Sequence, residues 1–347
     1  MTNREYGMAA LNLQMTDHVP RMEYSVLMHE DLIRRVTGCE TVDDDAKRLF
    51  MKKWDICMAW NTMANRTHLG TCRSSMGHAV YEKDGADKDT NVFTFFEEPE
   101  DVFAFDPLTQ LPSYTEEELI GMFDRHYDAK ERFAPDVVNM TGIYITGISG
   151  LIEMLGWDML LTCAGEDPDA FGAFFTRYSL WIEKFFVALS KCKAPVVMIH
   201  DDIVWTEGPF MQPAWYRRYL FPAYERLFSH LHGTGKKIMF TSDGNYTAFI
   251  DDIAACGIDS FVLEPTTDMA YIAGKYGKTH GFVGNADTRI LLTGDREAIR
   301  REVARCMDIG RDCPGFIMAV GNHIPPNTPV DACLWYDEFC RELGRRA

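Results

Sequence analysis

The chain has no Cys-x-x-Cys pair among its ten cysteines, and it is poor in bases, with 35 Lys and Arg against 52 Asp and Glu. Without paired spacing a structural zinc knuckle is not expected. The cysteines lie mostly in apolar or helical surroundings and read as reduced core residues of a cytoplasmic protein. A formal net charge of −17 argues against nucleic acid, whose affinity comes mainly from Lys and Arg at phosphates. It argues equally against an anionic membrane surface, and the acidity is most simply a solubility device. The first twenty residues, MTNREYGMAALNLQMTDHVP, lack the basic-then-apolar layout of a secretion signal. No apolar run approaches the roughly 18 residues needed to cross a bilayer. No GxGxxG or P-loop pattern points to a nucleotide, and no linker or low-complexity stretch divides the chain. These absences lead to the expectation of a soluble, intracellular protein with one domain over 1–347.

What is present is a repeated pattern in the C-terminal third. An apolar run of strand length ends abruptly in polar residues. PVVMIHDD ends at His200, Asp201 and Asp202, KKIMFTSDGN at Asp243 and Asn245, and DSFVLEP at Glu264. THGFVGNADT ends at Asn285 and Asp287, and GFIMAVGNHIPPNTP at Asn322 and His323. Near-continuous apolar runs are the mark of buried parallel strands. Eight such runs are found, at 20–26, 56–62, 140–146, 195–201, 237–242, 259–264, 279–284 and 315–321. Helical spacing separates most of them, over 116–133, 169–189, 213–235, 247–257 (with Gly257 as its terminating glycine) and 295–310. Regular alternation predicts a parallel sheet, and eight strands favour an α/β fold closed as a (β/α)8 TIM barrel. In that fold chemistry sits at the C-terminal strand ends. Residues 65–115 break the alternation, are too long for a simple connection, and read as an insertion near the mouth that brings His78 toward it.

The strand-end residues are therefore candidates for one shared pocket. Asp201 and Asp202 are neighbours on a strand and must point differently, so one should face the pocket while the other caps a helix or pairs with an Arg. Gly244 lets the chain turn sharply after Asp243. Tyr144 and Glu153 flank the third strand and can reach the same space. Asp287 suits the start of the following turn. Trp60, Trp157, Trp205 and Tyr246 fall near predicted strand ends, where flat rings can hold an aromatic substrate or fill the barrel.

Several segments together resemble the uroporphyrinogen decarboxylase superfamily: DHVPRMEY, HDDIVWTEGPFMQPAWYRRYLFPAYERLF, GKKIMFTSDGNY, GNADTRILLTGDREAIRREV and GFIMAVGNHIPPNTPVD. They cover most of the chain in the family's order, and the family fold is a (β/α)8 barrel. The resemblance implies one of three activities. The decarboxylases act on porphyrinogen acetates without a cofactor and carry an N-terminal Arg cluster. Here that region reads PRMEYSVLMHEDLIRR, without the cluster, and His323 follows Gly321 only after Asn322. A second branch methylates thiols at a zinc site of the pattern His-x-Cys-Gly-Asn with a later Cys. The matching positions here are Thr241, Asp243 and Asn322, so thiolate ligands are absent.

The third branch takes a methyl group from a methoxylated compound and passes it to the cobalt(I) of a separate corrinoid protein. Oxygen ligands in place of sulfur fit this branch best. By this resemblance the chain is expected to be an O-demethylase component acting on a small, aromatic methyl donor. A phenolate leaves poorly, so its oxygen must be protonated or bound to a Lewis acid. Zinc held by His200, Asp202, Asp243 and Glu264 would serve, and so would a carboxylic acid. Asp243 stands where relatives hold a metal ligand and ranks first among the catalytic candidates, with Glu264, His323 and Asp202 beside it. Asn245, Asn285, Tyr144, Glu153, Trp205 and Asn322 are the substrate-side candidates. The corrinoid must arrive on a partner, because the chain has no DxHxxG motif for it; Asp124 to Ala129 is a chance near-match. A cofactor-free decarboxylase and a non-catalytic tetrapyrrole- or corrinoid-binding barrel are the alternatives. The oligomeric state, a homodimer included, stays open.

Overall fold

The structure is a computed structural model and describes residues 1–74 and 93–346. All eight expected strands are present. They are β1 (Arg21–Met22), β2 (Ile56–Met58), β3 (Thr141–Ile143), β4 (Val196–His200), β5 (Lys237–Thr241), β6 (Ser260–Val262), β7 (Gly281–Ala286) and β8 (Phe316–Val320). They pair in parallel in the order β2-β1-β8-β7-β6-β5-β4-β3. The ring is completed between β2 and β3 by isolated parallel bridges, Met58 to Val138 and Ala64 to Ile143. The result is the expected TIM-barrel type of fold.

All the strands but β7 are shorter than their apolar runs because the last residues of those runs leave the ladder to build the mouth. Beyond β3, for example, Thr146 Oγ1 donates to the carbonyl of His200 at 2.6 Å. The helix Glu116–Phe133 matches its expected bounds. Thr115 and Glu118 form a reciprocal cap, acids fill the first turn, and Lys130 and Arg132 lie in the last. The expected helix over 213–235 is instead Pro213–Trp215, a wide π-turn over Tyr216–Leu220, and Phe221–Ser229. Pro222 has no N–H to offer the turn before it, which accounts for the widening.

One segment does have the length and apolarity of a membrane span, contrary to the sequence expectation: the helix Ile148–Glu166, 61% of whose apolar window is buried within the protein. Gly156, at φ 73°, breaks it into two shorter pieces.

Within residues 65–115, positions 75–92, His78 among them, lie outside the described residues. The described part after them, with short helices Pro99–Ala104 and Pro107–Gln110, packs along the outer helix Pro168–Lys191. Arg177 Nη2 donates to the carbonyls of Phe103 and Phe105, and Trp181 Nε1 to that of Pro112.

A buried charge cluster joins the first strand to the last helix. The Arg21 guanidinium lies over Trp54 (4.2 Å) and Tyr336 (4.9 Å). It donates to Glu23 Oε1 at 2.9 Å and to Asp337 on the helix Val330–Leu343. Glu23 Oε2 in turn accepts from Val320 N–H of β8. Removing one member of a buried pair strands the other charge at a cost of about 3–5 kcal/mol. Arg21→Ala should therefore lower the urea midpoint sharply. A loss below about 1 kcal/mol, the level of an exposed pair, would contradict this account.

Candidate active site

β4 sets the site. Its final residue, His200, is buried, and the two aspartates that follow diverge as expected. Asp201 points back into the wall and accepts from Gly147, Ile148 and Ser149 N–H at 2.8, 3.0 and 2.5 Å, and from Tyr224 Oη. It thereby caps the helix Ile148–Glu166. Burial raises its pKa, against those hydrogen bonds. Asp202 turns into the mouth. Its N–H donates to Ser149 Oγ at 2.7 Å. Its Oδ1 accepts from His200 Nε2 at 3.0 Å and from Asp243 N–H at 2.9 Å, and Tyr144 Oη stands 3.5 Å from its Oδ2.

Asp243 follows β5, where the chain must turn. Gly244 adopts φ 86°, and a Cβ there would sit 2.7 Å from the Trp205 carbonyl, so only glycine fits. The Asp243 residue has solvent access, yet its carboxyl is walled in by other groups of the mouth. Burial first, then Asp202 and Glu264, push it up to about 8 against the pull of His200. Burial lowers the His200 imidazole, but Asp202, Asp243 and Asp201 more than offset this and its pKa ends raised. Ligand atoms of His200, Asp202 and Asp243 lie within 4.8 Å of one another.

Glu264, at the end of β6, accepts from Gly244 N–H at 2.7 Å and from Asn322 Nδ2. Asn322 Oδ1 accepts from His323 N–H, and His323 Nδ1 lies 2.6 Å from Ser25 Oγ. Burial, with His200 nearby, lowers the His323 pKa. A cavity of about 50 Å³ is lined by Tyr24, Trp60, His200, Thr241, Asp243, Val262, Glu264, Gly321, Asn322 and His323. No Lys or Arg is among them. The Trp60 and Tyr144 rings meet the His200 imidazole edge-on at 5.4 and 4.3 Å.

The structure thus brings together Asp243, Glu264, His323, Asp202, His200, Asn322 and Tyr144. Glu264 is the exception to the expected ligand set. Both its oxygens are engaged elsewhere, and it stands outside the cluster of three. Three substrate-side candidates are not brought to the cavity. Asn245 Oδ1 accepts from Thr247 N–H. Buried Asn285 donates to the carbonyls of Glu264 and Thr267 and accepts from Arg305. Trp205 is 49% exposed and packs on Trp157 and Phe210. Asp287 caps the helix Thr288–Leu292 and pairs with Arg289.

Tyr24, Ser25 and Ser149 were not foreseen. Tyr24 and Ser25 stand near the end of the run PRMEYSV, but Arg21 and Glu23 interrupt it, so it lacks the apolar-to-polar signal of the later strands. Ser149 gives no such signal, because it lies in the first turn of a helix.

The donor set of one imidazole and two carboxylates suits zinc or another divalent cation, with positions left for substrate. His200 Nδ1 is buried without a hydrogen-bond partner. It is spare for a second contact while Nε2 faces the carboxylates. The residues therefore fit a metal. Bound there, it would act as a Lewis acid on a substrate oxygen.

Glu153 is buried beside this cluster. Burial, with Asp202 adding to it, holds its carboxyl up at about 7 against Arg66 and Arg73. A carboxyl raised in the folded state favours folding fully below its ordinary value, and that contribution is lost as pH rises through about 7. Glu153→Gln should stabilise the protein by about 1–2 kcal/mol more at pH 8 than at pH 5. Melting temperatures at the two pH values check this, and equal shifts at both would refute it.

Comparison with known proteins agrees with this architecture. The family described as uroporphyrinogen decarboxylase (URO-D) matches residues 99–343, so the chain belongs to the uroporphyrinogen decarboxylase family. Among curated relatives, the uroporphyrinogen decarboxylase of Citrifermentans bemidjiense is 26% identical over 180 residues, 52% of this chain and 51% of that protein. The Thermus thermophilus enzyme of the same name is 28% identical over 161 residues, 46% of this chain and 45% of its own length. The chain spans about half the length of the curated relatives it matches. A methyltransferase from Methanosarcina mazei shares the fold over 99% of both chains, with TM-score 0.66 and 16% identity.

Proposed function

We propose that the chain is a methyltransferase that takes the methyl group of a small methoxylated compound, aromatic in its body, and passes it to the cobalt of a separate corrinoid protein. The observation that carries this reading is the character of the cavity: nitrogen and oxygen donors, aromatic walls, no Lys or Arg and a small volume. A porphyrinogen bearing eight carboxylates needs cations to hold it and far more space. Supporting context comes from the fold shared with the Methanosarcina mazei methyltransferase.

In the proposed reaction the bond between the methyl carbon and the ether oxygen breaks. Cobalt(I) supplies the electron pair of the new Co–CH3 bond, and the departing oxygen takes up a proton. His200, Asp202 and Asp243 would hold a zinc ion whose role is to polarise that oxygen. Asp202 fixes the geometry by binding His200 Nε2 and Asp243 N–H together. Glu264 and Asn322 brace the turn after Asp243 and the loop of His323. Trp60 and Tyr24 shield the space from water. Family membership keeps cofactor-free decarboxylation as the second reading.

Incubated with zinc, anisole and cob(I)alamin, the purified protein should form methylcobalamin, visible in its absorption spectrum, and phenol. Asp243→Ala should lower turnover by about a hundredfold or more, since a Lewis acid contributes several kcal/mol, and should reduce bound zinc measured by elemental analysis. Wild-type turnover in that variant, or release of carbon dioxide from uroporphyrinogen by the parent, would overturn the proposal.

A further inference from the structure

The cavity is too small for the whole of an aromatic donor. A single water already needs on the order of 10–15 Å³ of such space, and about 50 Å³ is available. The body of any donor must lie elsewhere. Of four larger hollows on the described residues, one shares a wall residue with the cavity. It is a groove of about 550 Å³ between residues 25–34 and the loop after β8, and the shared residue is His323. Leu27, Met28, Pro325 and Pro326 give it an apolar side and Glu30, Asp31, Arg34 and Lys47 a charged one, and Met28 is exposed.

His323 is held in place from the groove side. Its Nδ1 meets Ser25 Oγ at 2.6 Å, and Ser25 is a non-glycine residue at φ 50°, a left-handed conformation that costs energy. The adjacent backbones also meet, Tyr24 bridging to His323 and Ile324 N–H reaching the Tyr24 carbonyl at 3.4 Å. His323 is thus fixed between a small polar chamber and a larger groove of mixed lining.

We propose that the methyl donor binds across both compartments, and that His323, positioned by Ser25, determines how large a donor is accepted. The methoxy group enters the chamber of His200 and Asp243, and a flat apolar body lies in the groove against Met28 and Pro325. This assignment rests on the methyl-transfer reading for its substrate class. Ser25 is a positioning residue, and His323 sets specificity.

The test uses two ethers of different width, anisole and 2-methoxynaphthalene, with the full-length protein loaded with zinc. Ser25→Gly removes the hydroxyl and relieves the left-handed backbone, so its melting temperature should not fall. It should raise the affinity for 2-methoxynaphthalene relative to anisole by about fivefold or more by calorimetry, roughly 1 kcal/mol. Ser25→Asn, which tolerates the same backbone and can still hydrogen-bond the imidazole, should restore the parental ratio. Met28→Asp, an exposed change in the groove, should weaken binding of both ethers about tenfold with zinc content unchanged.

An unchanged ratio in Ser25→Gly, or parental binding in Met28→Asp, overturns the inference, as does failure of the parent to bind either ether. If the binding shifts appear but no methyl reaches cobalamin, the groove assignment stands and the methyl-transfer reading fails.

Discussion

Two adjacent carboxylates after β4 organise the mouth of this barrel. Successive strand residues face opposite ways, so Asp201 and Asp202 serve two masters. Asp201 is locked by three backbone N–H groups at the start of the helix Ile148–Glu166. Asp202 is held at its own N–H by Ser149 of the same turn. One helix N-terminus therefore fixes the end of β4, and through Asp202 it fixes His200 and the backbone of Asp243. The donors of the candidate site are thus anchored to secondary structure through Asp202, which matters for groups that would otherwise repel.

That repulsion adds to burial in raising the Asp243 pKa. Asp202, Asp243 and Glu264 crowd one opening, with His200 as the nearest counter-charge. A cation placed between His200, Asp202 and Asp243 would relieve the same strain that now raises Asp243. Burial of charge here resembles the Arg21 cluster at β1 in kind but not in balance. There, a guanidinium lies among two carboxylates and two rings. At the mouth the carboxylates are in excess, as a site built to receive a positive or electrophilic partner requires.

Most of the fold was legible because buried parallel strands announce themselves as uninterrupted apolar runs. Every one of the eight is where its run placed it. The ends were less legible, since residues such as Tyr144 and Thr146 continue the apolar run after the ladder stops. The polar strand ends His200, Asp202, Asp243, Glu264, Asn322 and His323 do converge on one mouth. Asn285 was indistinguishable from them in sequence. Its amide sits on the last stretch of β7 and faces the wall, where Arg305 and two carbonyls satisfy it. Asn245 and Trp205 lie one turn past their strands, and that turn, closed around Gly244, carries them away from the cavity. Facing is a tertiary property, and neither composition nor spacing encodes it.

The joint between β2 and β3 has a different kind of construction from the rest of the wall. Hydrogen bonds cluster at its two ends, Ala59 and Val138 below, Met63, Ala64 and Tyr144 above. Between them the chain makes a detour, and on that detour stands Trp60, an indole that lines the cavity. The bulkiest side chain of the chamber is thus mounted on the one stave that is not nailed along its length. Trp60 can shift without unzipping a continuous ladder, so any loosening of the chamber wall should begin there while the β4–β8 side keeps its shape.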